Sequence, residues 1–402
     1  MSRFFKSLGV VGAWFAIARF ISAVAAVVAA RLLGAEAYGD AQLAVTVAQA
    51  FCILSIFGLN TAVVRYGAPA RDPHPYTASS WWFVAAGSIL WCLVLIPFRD
   101  VLRPWFGTTS DMMLLGLCLG PAMSLFVQVS AVQQTVGEYN RRGLAEATLA
   151  LVFIVSLPPA FVFFGRSYLA SVCAFLTAYL IATGLAVWWS CPWLSLRPLS
   201  KTALIEMAPY GWYNFLCGIG FFFTSSIQKP IIKHYLSSIE VGQYSLYTMA
   251  SLNLAVYGGS VLATVFFPTA ARSADRAGLW KVTWRAWGKV VWILFLALLV
   301  AQVAAVVLSG RDEYPLDLGL AALFAATSGV MMVQNSLGQI IGAEGVRGAR
   351  LGVLMSLSVG FANIGLSHLL IPRLHVHGAV LALLIVYSLA LLVLVSVRKR
   401  YL

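Results

Sequence analysis

Twelve long apolar stretches, joined by short connections, are the feature that most limits how this chain of 402 residues can fold. Each stretch is long enough to cross a bilayer as a helix, which takes about 20 residues. The runs are continuous rather than alternating, which excludes a transmembrane β-barrel. The sequence therefore predicts an all-α integral membrane protein with about 12 transmembrane helices. The approximate spans are 9–30, 41–59, 78–97, 112–134, 144–164, 168–190, 207–228, 243–267, 288–308, 316–342, 351–371 and 376–397.

Charge is scarce and unevenly distributed along the chain. Charged residues make up 10% of the sequence, against about 25% in soluble proteins. With the N-terminus inside, 18 Lys and Arg residues lie on the inner side, 8 on the outer side and Arg19 within a span. This excess of inner cations predicts that both termini are cytoplasmic. The net charge of +13 is therefore a topology signal, and no nucleic-acid partner is expected.

The usual signatures of enzymes and metal sites are missing from the sequence. The six cysteines lie in or at the ends of spans without a CxxC pair, and His375 and His377 are the only histidines close together. Two ligands do not make a zinc site. No GxxxxGK[ST] motif is present, and no connection is long enough for a soluble domain. We predict a transporter rather than an enzyme, with no metal and no cofactor.

A faint internal repeat divides the chain near its middle. RLLGAEAYGDAQLAV (31–45) precedes HYLSSIEVGQYSLYT (234–248) by 203 positions, and this offset aligns Leu33 with Leu236, Gly39 with Gly242 and Leu43 with Leu246. Six spans in each half give both halves the same orientation. A parallel repeat of this kind is a common transporter design with a central site. It predicts two six-helix lobes, 1–200 and 201–402, around a central cavity.

Arg19 is a permanent charge inside the first apolar span. A count of 100° per residue places it on a face of small residues (Gly12, Ala16, Ser22, Ala23, Ala26 and Ala30), opposite Ile17, Ile21, Val24 and Val28. Small faces border other helices or cavities, whereas branched aliphatic faces suit lipid. The pattern predicts that Arg19 points into the bundle. The alternative is that its side chain reaches the lipid headgroups, with Trp14 marking the interface.

Cations and amides, rather than acids, populate the spans. Glu138, Glu146 and Glu206 fall near the inner ends of their spans, and no Asp or Glu is expected in mid-span. This set suits an anionic, hydroxyl-rich substrate. Each amide could instead form an interhelical hydrogen bond, and the two lysines could anchor at the interface. The candidate substrate-binding residues are Arg19, Arg65, Lys229, Lys233, Gln228, Asn60, Gln133 and Asn253.

Three segments resemble one family. ARLLGAEAYGDAQLAVTVAQ with FGLNTAVVRYGA, then IQKPIIKHYLSSIEVGQYSLYTMA, then NIGLSHLLIPRLHVHGAVLALLIVYS, resemble bacterial polysaccharide repeat-unit flippases (Wzx-type). These belong to the multidrug/oligosaccharidyl-lipid/polysaccharide exporter superfamily. The chain departs from the family pattern in two places. Gln228-Lys229 replaces Asp-Arg, and RLHVHG lacks the glycine that usually follows the proline.

The resemblance implies a function. Members of the family move polyprenyl-pyrophosphate-linked oligosaccharides across the bacterial inner membrane by alternating access, for O-antigen or exopolysaccharide synthesis. The resemblance implies membrane lipids and polymerase machinery as partners. The related lipid II flippases carry an arginine at the place of Arg19, which implies that Arg19 contacts the pyrophosphate.

Two alternatives stay open. A drug or metabolite exporter of the same superfamily would usually place an acid in mid-span. A membrane polysaccharide polymerase would need acids at the interface, and Asp312-Glu313 is expected to be an ordinary solvated turn.

Overall fold

The structure, a computed structural model, describes residues 2–195, 200–256, 275–310, 312–342 and 346–398. It is about 90% helical, and no strand occurs within these ranges. Nine segments of the described chain are long and apolar enough to cross a membrane. The helices are α1 Ser2–Ile56, α2 Leu59–Gly67, α3 His74–Leu95, α4 Arg99–Phe106, α5 Ser110–Thr135, α6 Tyr139–Phe164, α7 Tyr168–Ser190, α8 Lys201–Ser225, α9 Gln228–Tyr235, α10 Ser238–Thr248, α11 Arg276–Ser309, α12 Leu318–Gly342 and α13 Val346–Val397.

Two of these helices are each a pair of membrane passes joined by a single kinked residue. α1 breaks at Gly34 (φ 79°, ψ 170°), a conformation that glycine adopts readily. α13 breaks at His375 (φ 52°, ψ −135°). With both kinks counted, and with α2 and α9 continuing the passes before them, the nine segments give eleven passes, and α10 begins a twelfth, in agreement with the predicted number. The loop expected at 31–40 is instead helix on both sides of Gly34. The predicted eighth span begins in α10, and its end, 257–267, lies outside the described residues.

The internal repeat is visible in the backbone. The helix break at Gly34 and the break at Ser237, which begins α10 as its N-cap, are 203 positions apart. The same offset aligns RYGAPARD (65–72) with PTAARSAD (268–275), but residues 268–274 lie outside the part of the chain that the structure describes. The fold confirms the repeat of six passes, whereas the lobe boundary at 200/201 stays a prediction. We name the two ends of the bundle by residues that lie there: the Gly34 end, predicted to be outer, and the Arg65 end, predicted to be inner.

The two halves touch through the repeated segments themselves. A Cβ atom added to Gly39 would lie 1.9 Å from the carbonyl oxygen of Ser238. A Cβ added to Gly242 would lie 2.0 Å from the carbonyl oxygen of Ala35. Because the offset of 203 relates Ala35 to Ser238 and Gly39 to Gly242, each half makes the same contact on the other. We call these four residues the glycine crossing. It brings two helix backbones together at the Gly34 end.

Polar contacts surround the glycine crossing. Ser238 donates a hydrogen bond to Asp40 and accepts one from Lys233. The Lys233 Nζ and Asp40 Oδ1 atoms are 3.9 Å apart. These bonds join the second arm of α1, residues 35–56, to the break between α9 and α10. They therefore connect the two halves.

The residues that connect α11 and α12 also contact the first half. Glu313 accepts hydrogen bonds from the Ala35 amide (3.3 Å) and from Arg166 (3.1 Å). Tyr314 is fully buried and its hydroxyl donates to the Ala30 carbonyl over 3.3 Å. Burial raises the pKa of the Tyr314 phenol well above its ordinary value, and the nearby Tyr38 and Glu313 add to the rise. Asp312 and Glu313 are exposed, as predicted for a solvated turn, but Glu313 also contacts the first half and the next residue, Tyr314, is buried against it.

Candidate functional site

A central cavity of about 490 Å³ lies between the two halves. The first half contributes residues of α1, α5, α6 and α7, and the second half contributes residues of α8 to α10, α12 and α13. Arg19 and Lys229 are the charged side chains among the described residues of its wall, and none of those residues is Asp or Glu. Serine, threonine, tyrosine and amide side chains complete the polar lining, within a largely apolar surface.

The helical face predicted for Arg19 is confirmed. Ser22, Ala23 and Ala26 line the cavity together with Arg19. Ile17 and Val24, on the opposite face, are 48% and 39% exposed on the outside of the bundle. The charge therefore points into the protein, because the small residues of α1 leave room for a cavity on that side. The alternative, in which Arg19 reaches the membrane surface, is not the arrangement that the structure has.

Arg19 has a carboxylate partner, contrary to the expectation from the sequence. Its Nη2 atom donates to Glu146 Oε2 of α6 over 3.3 Å, and both side chains are largely buried. Arg142 lies one turn before Glu146 on the same helix and donates to Gln134. Glu146 was expected near the inner end of its span, away from Arg19. The crossing of α1 and α6 brings Arg19 and Glu146 together, and the charge of Arg142 lies close enough to both to interact electrostatically.

Lys229 lies in the cavity wall rather than at the membrane interface. The residue is 7% exposed, and its Nζ donates to Gln42 Oε1 over 3.0 Å. Lys233, one turn further along α9, does not line either cavity and belongs to the contacts around the glycine crossing. The sequence grouped these lysines, but the structure gives them different surroundings.

Two of the predicted site residues belong to the packing instead. Gln228 is fully buried and donates to Asn363 Oδ1 (3.1 Å) and to the Ala379 carbonyl (2.9 Å), while it accepts from Tyr244. Gln133 donates to the Ala186 carbonyl over 3.4 Å. Neither residue is in the described lining of a cavity. Both side chains serve as interhelical hydrogen bonds, the alternative role weighed for each amide.

Of the two remaining predicted amides, one lines the central cavity and the other does not. Asn253 is exposed in the single π-helical turn Met249–Asn253 and lines the central cavity. Asn60 is half-buried in α2 and is outside the described linings of both cavities. Gln42 is a lining residue that sequence reasoning missed as a candidate. It precedes Gln49 by two helical turns on the same stripe of α1, so the helical period carried the signal.

A second cavity of about 630 Å³ opens beside the first at the Arg65 end. The two cavities share Phe221, Thr224 and Tyr387 in their walls. Arg65 lines the second cavity, and its guanidinium carbon lies 4.5 Å from the centre of the Tyr210 ring. Arg65 therefore lines this cavity in a cation–π contact with Tyr210. Among the described residues, no group of three or more His, Cys, Asp or Glu side chains could hold a metal ion.

Comparison with known proteins places this geometry in a family. The sequence profile described as "Polysaccharide biosynthesis protein" matches residues 28–309. No curated protein matches the chain by sequence. An inward-facing multidrug resistance MATE family transporter of the MOP superfamily is similar in structure, with a TM-score of 0.68, 15% identity and coverage of 95% of this chain and 94% of that chain.

Two further solved structures show the same architecture. The outward-facing conformation of a MATE family transporter of the MOP superfamily has a TM-score of 0.62 at 14% identity, over 98% of this chain and 95% of that one. A MOP superfamily transporter from Pyrococcus furiosus has a TM-score of 0.64 at 15% identity, also over 98% and 95%. These likenesses establish the fold. Family and fold agree with the prediction of a multi-pass membrane transporter rather than an enzyme.

Proposed function

This chain belongs to the polysaccharide biosynthesis protein family, and from that premise we propose that it is a flippase for lipid-linked oligosaccharides. It would carry polyprenyl-pyrophosphate-linked repeat units from the inner to the outer leaflet of a bacterial inner membrane. Its termini would be cytoplasmic, and a polysaccharide polymerase would accept the product at the Gly34 end.

The charge of the central cavity carries this proposal. Arg19 and Lys229 line it, and the described wall holds no carboxylate. A cation in a low-dielectric site is costly unless an anion accompanies it. A pyrophosphate supplies that anion, and arginine binds phosphate oxygens through two parallel hydrogen bonds. Fold alone does not set substrate charge. In the Pyrococcus furiosus transporter, a binding pocket of reverse polarity suggests a different function for that protein.

Glu146 gives Arg19 a partner when no substrate is bound. The 3.3 Å contact holds the guanidinium in the cavity wall. An arriving pyrophosphate would compete for the same nitrogen atoms. Arg142, on the same helix as Glu146, would leave that carboxylate near a cation after Arg19 turns to the substrate. Substrate binding is thereby an exchange of one anion for another rather than the neutralisation of a bare charge.

The ends of the bundle suggest a direction. The glycine crossing and its polar contacts hold the halves together at the Gly34 end. The second cavity, with Arg65 in its wall, lies at the opposite end. In this state the headgroup would enter from the Arg65 end while the polyprenyl chain stays in lipid.

The membrane potential would favour export of the substrate. Moving two negative charges outward across a membrane whose potential is inside-negative releases about 4–5 kcal/mol per 100 mV. Transport could therefore proceed without a proton-binding carboxylate in the cavity. A potassium gradient with valinomycin, imposed on proteoliposomes, tests this driving force.

The central experiment measures flipping in proteoliposomes. The probe is a fluorescent polyprenyl pyrophosphate disaccharide, and external dithionite reports the outward-facing fraction. Arg19→Ala should slow flipping about 10- to 100-fold, because it removes a charge-assisted hydrogen bond. Arg19→Lys should retain part of the rate, since it keeps the charge but loses the paired geometry. Lys281→Ala removes an exposed cation of α11 outside the described cavity linings and is the matched control.

Wild-type flipping by Arg19→Ala would end the pyrophosphate role of Arg19. A second test is mass spectrometry of the lipids that accumulate on the inner leaflet when the gene is deleted. A pyrophosphate-linked oligosaccharide is expected. Drug resistance conferred by expression would favour the exporter alternative, and polymer made by the purified protein would favour a polymerase.

A further inference from the structure

The second cavity is built from neutral polar groups. One stripe of α12 supplies Gln334, Asn335 and Gln339, and a stripe of α8 supplies Tyr210, Tyr213 and Asn214. Arg65 is the charged side chain among its described lining residues, and its guanidinium lies over the Tyr210 ring. The cavity is therefore different in chemistry from the central one, whose described charges are Arg19 and Lys229.

The helix α12 packs against α11 and α13, and its polar stripe faces the second cavity. Positions 334, 335, 338, 339 and 342 all face the cavity. On the opposite side, Leu337 and Ile340 are fully buried in an apolar cluster. A Cβ atom added to Gly338 would meet nothing within 4 Å, so this wall is open. The amides thus have space in front of them rather than a neighbouring helix.

One of these amides has an unused acceptor. Among the described residues, the buried Oε1 atom of Gln334 has no hydrogen-bond partner. A buried acceptor without a partner is costly, and each such group in a folded protein needs an explanation. The oxygen itself is closed to solvent, so the amide of Gln334, which lines the cavity, would turn to accept a hydrogen bond from a ligand hydroxyl. Amides both donate and accept, which matches the hydroxyl groups of a neutral polyol.

We propose that the second cavity binds the oligosaccharide part of the substrate, while Arg19 and Lys229 in the central cavity bind the pyrophosphate. This inference rests on the proposed flippase function. The cavities adjoin at Phe221, Thr224 and Tyr387, so one headgroup can occupy both. The volume of about 630 Å³ is within the range of roughly 300–1,000 Å³ found for small-molecule sites. The tyrosine rings offer apolar faces against which sugar rings can lie.

The test compares two lipids on the purified full-length protein. The probes are undecaprenyl pyrophosphate alone and the same lipid carrying each of several neutral disaccharides, with binding measured by native mass spectrometry. The wild type should bind at least one glycan-bearing lipid more tightly than the bare lipid. The double variant Gln334→Leu, Gln339→Leu should lose that preference by about tenfold, because it removes two hydrogen-bonding groups. Its affinity for the bare lipid should not change.

Gln302→Leu is the matched control. Gln302 is a fully buried amide of α11 that donates to the Leu298 and Ala321 carbonyls, outside the described lining of either cavity. Its loss should lower thermal stability without changing the preference between lipids. If the double variant does not fold, Asn335→Leu alone makes the same test with a smaller expected loss.

The outcomes separate this inference from the proposed function. A wild type that binds bare and glycan-bearing lipids equally, or a variant that keeps the preference, would overturn the glycan site but leave the pyrophosphate site standing. An equal gain in affinity for both lipids in the Gln→Leu variant would place the polyprenyl chain in this cavity instead. A wild type that binds neither lipid would overturn the flippase proposal itself.

Discussion

Gly39→Ala should open the Gly34 end of the bundle. The added Cβ would lie 1.9 Å from the Ser238 carbonyl oxygen, whereas ordinary contact begins at 3.4 Å. The two helices would have to separate by about 1.5 Å, and overpacking of this kind costs about 1–3 kcal/mol. That cost falls on the state in which the halves touch. It should shift the equilibrium toward separation by about 5- to 150-fold. Gly242→Ala should act alike, since it meets the Ala35 carbonyl at 2.0 Å.

Hydrogen–deuterium exchange of the purified protein measures this shift. Peptides covering 35–43 and 238–246 should exchange faster in both variants, by a factor in the same range. Gly184→Ala in α7 is the matched control, because a Cβ there would meet nothing within 4 Å. Unchanged exchange at both segments in a folded Gly39→Ala protein would refute the reasoning, and the glycine crossing would then not determine closure.

Three further predictions follow from the contacts of single residues. Glu146→Gln should raise the affinity for undecaprenyl pyrophosphate about tenfold, because the competing anion for Arg19 is gone; unchanged affinity in a binding assay would contradict the exchange of anions. Glu313→Gln should speed hydrogen exchange at the Ala35 end of the second α1 arm, since it weakens the carboxylate's contact with that helix N-terminus. Tyr314→Phe should cost about 1 kcal/mol in thermal stability. The wild type should also lose stability as pH rises above about 10, because the raised pKa of Tyr314 disfavours ionisation in the folded state only. The variant should lose less, and equal losses would contradict this cause.

The helical period was sufficient to predict that the Arg19 side chain points into the bundle. Small and branched residues alternate around α1 with a spacing that places the charge on the packed side, and the structure agrees. The twelve passes and the repeat were also readable, since hydropathy and the offset of 203 are properties of the chain itself. These predictions depend on local geometry, which a helix imposes on its own sequence.

Partners across helices could not be predicted in the same way. Glu146 is 127 positions from Arg19, and no local rule links them. Gln228 and Lys229 are neighbours in sequence, but successive helical residues point about 100° apart. One therefore enters the packing around Asn363, and the other faces the cavity. The contacts of Glu313 and the burial of Tyr314 could not be predicted from the turn itself, because their partners lie far away in the chain.

The glycine crossing has a consequence for how such a protein could arise. A contact in which equivalent positions of two copies meet each other is the kind that a symmetric pair of identical chains forms. A six-helix unit with one such segment could pair with a second copy of itself, and fusion of two genes would preserve the pairing. The charges did not follow this symmetry. At the offset of 203, Arg19 corresponds to Phe222 and Lys229 corresponds to Ala26, and all four line the central cavity. The two halves therefore keep equivalent contacts where they touch each other, and they differ in the residues that line the cavity where the substrate would bind.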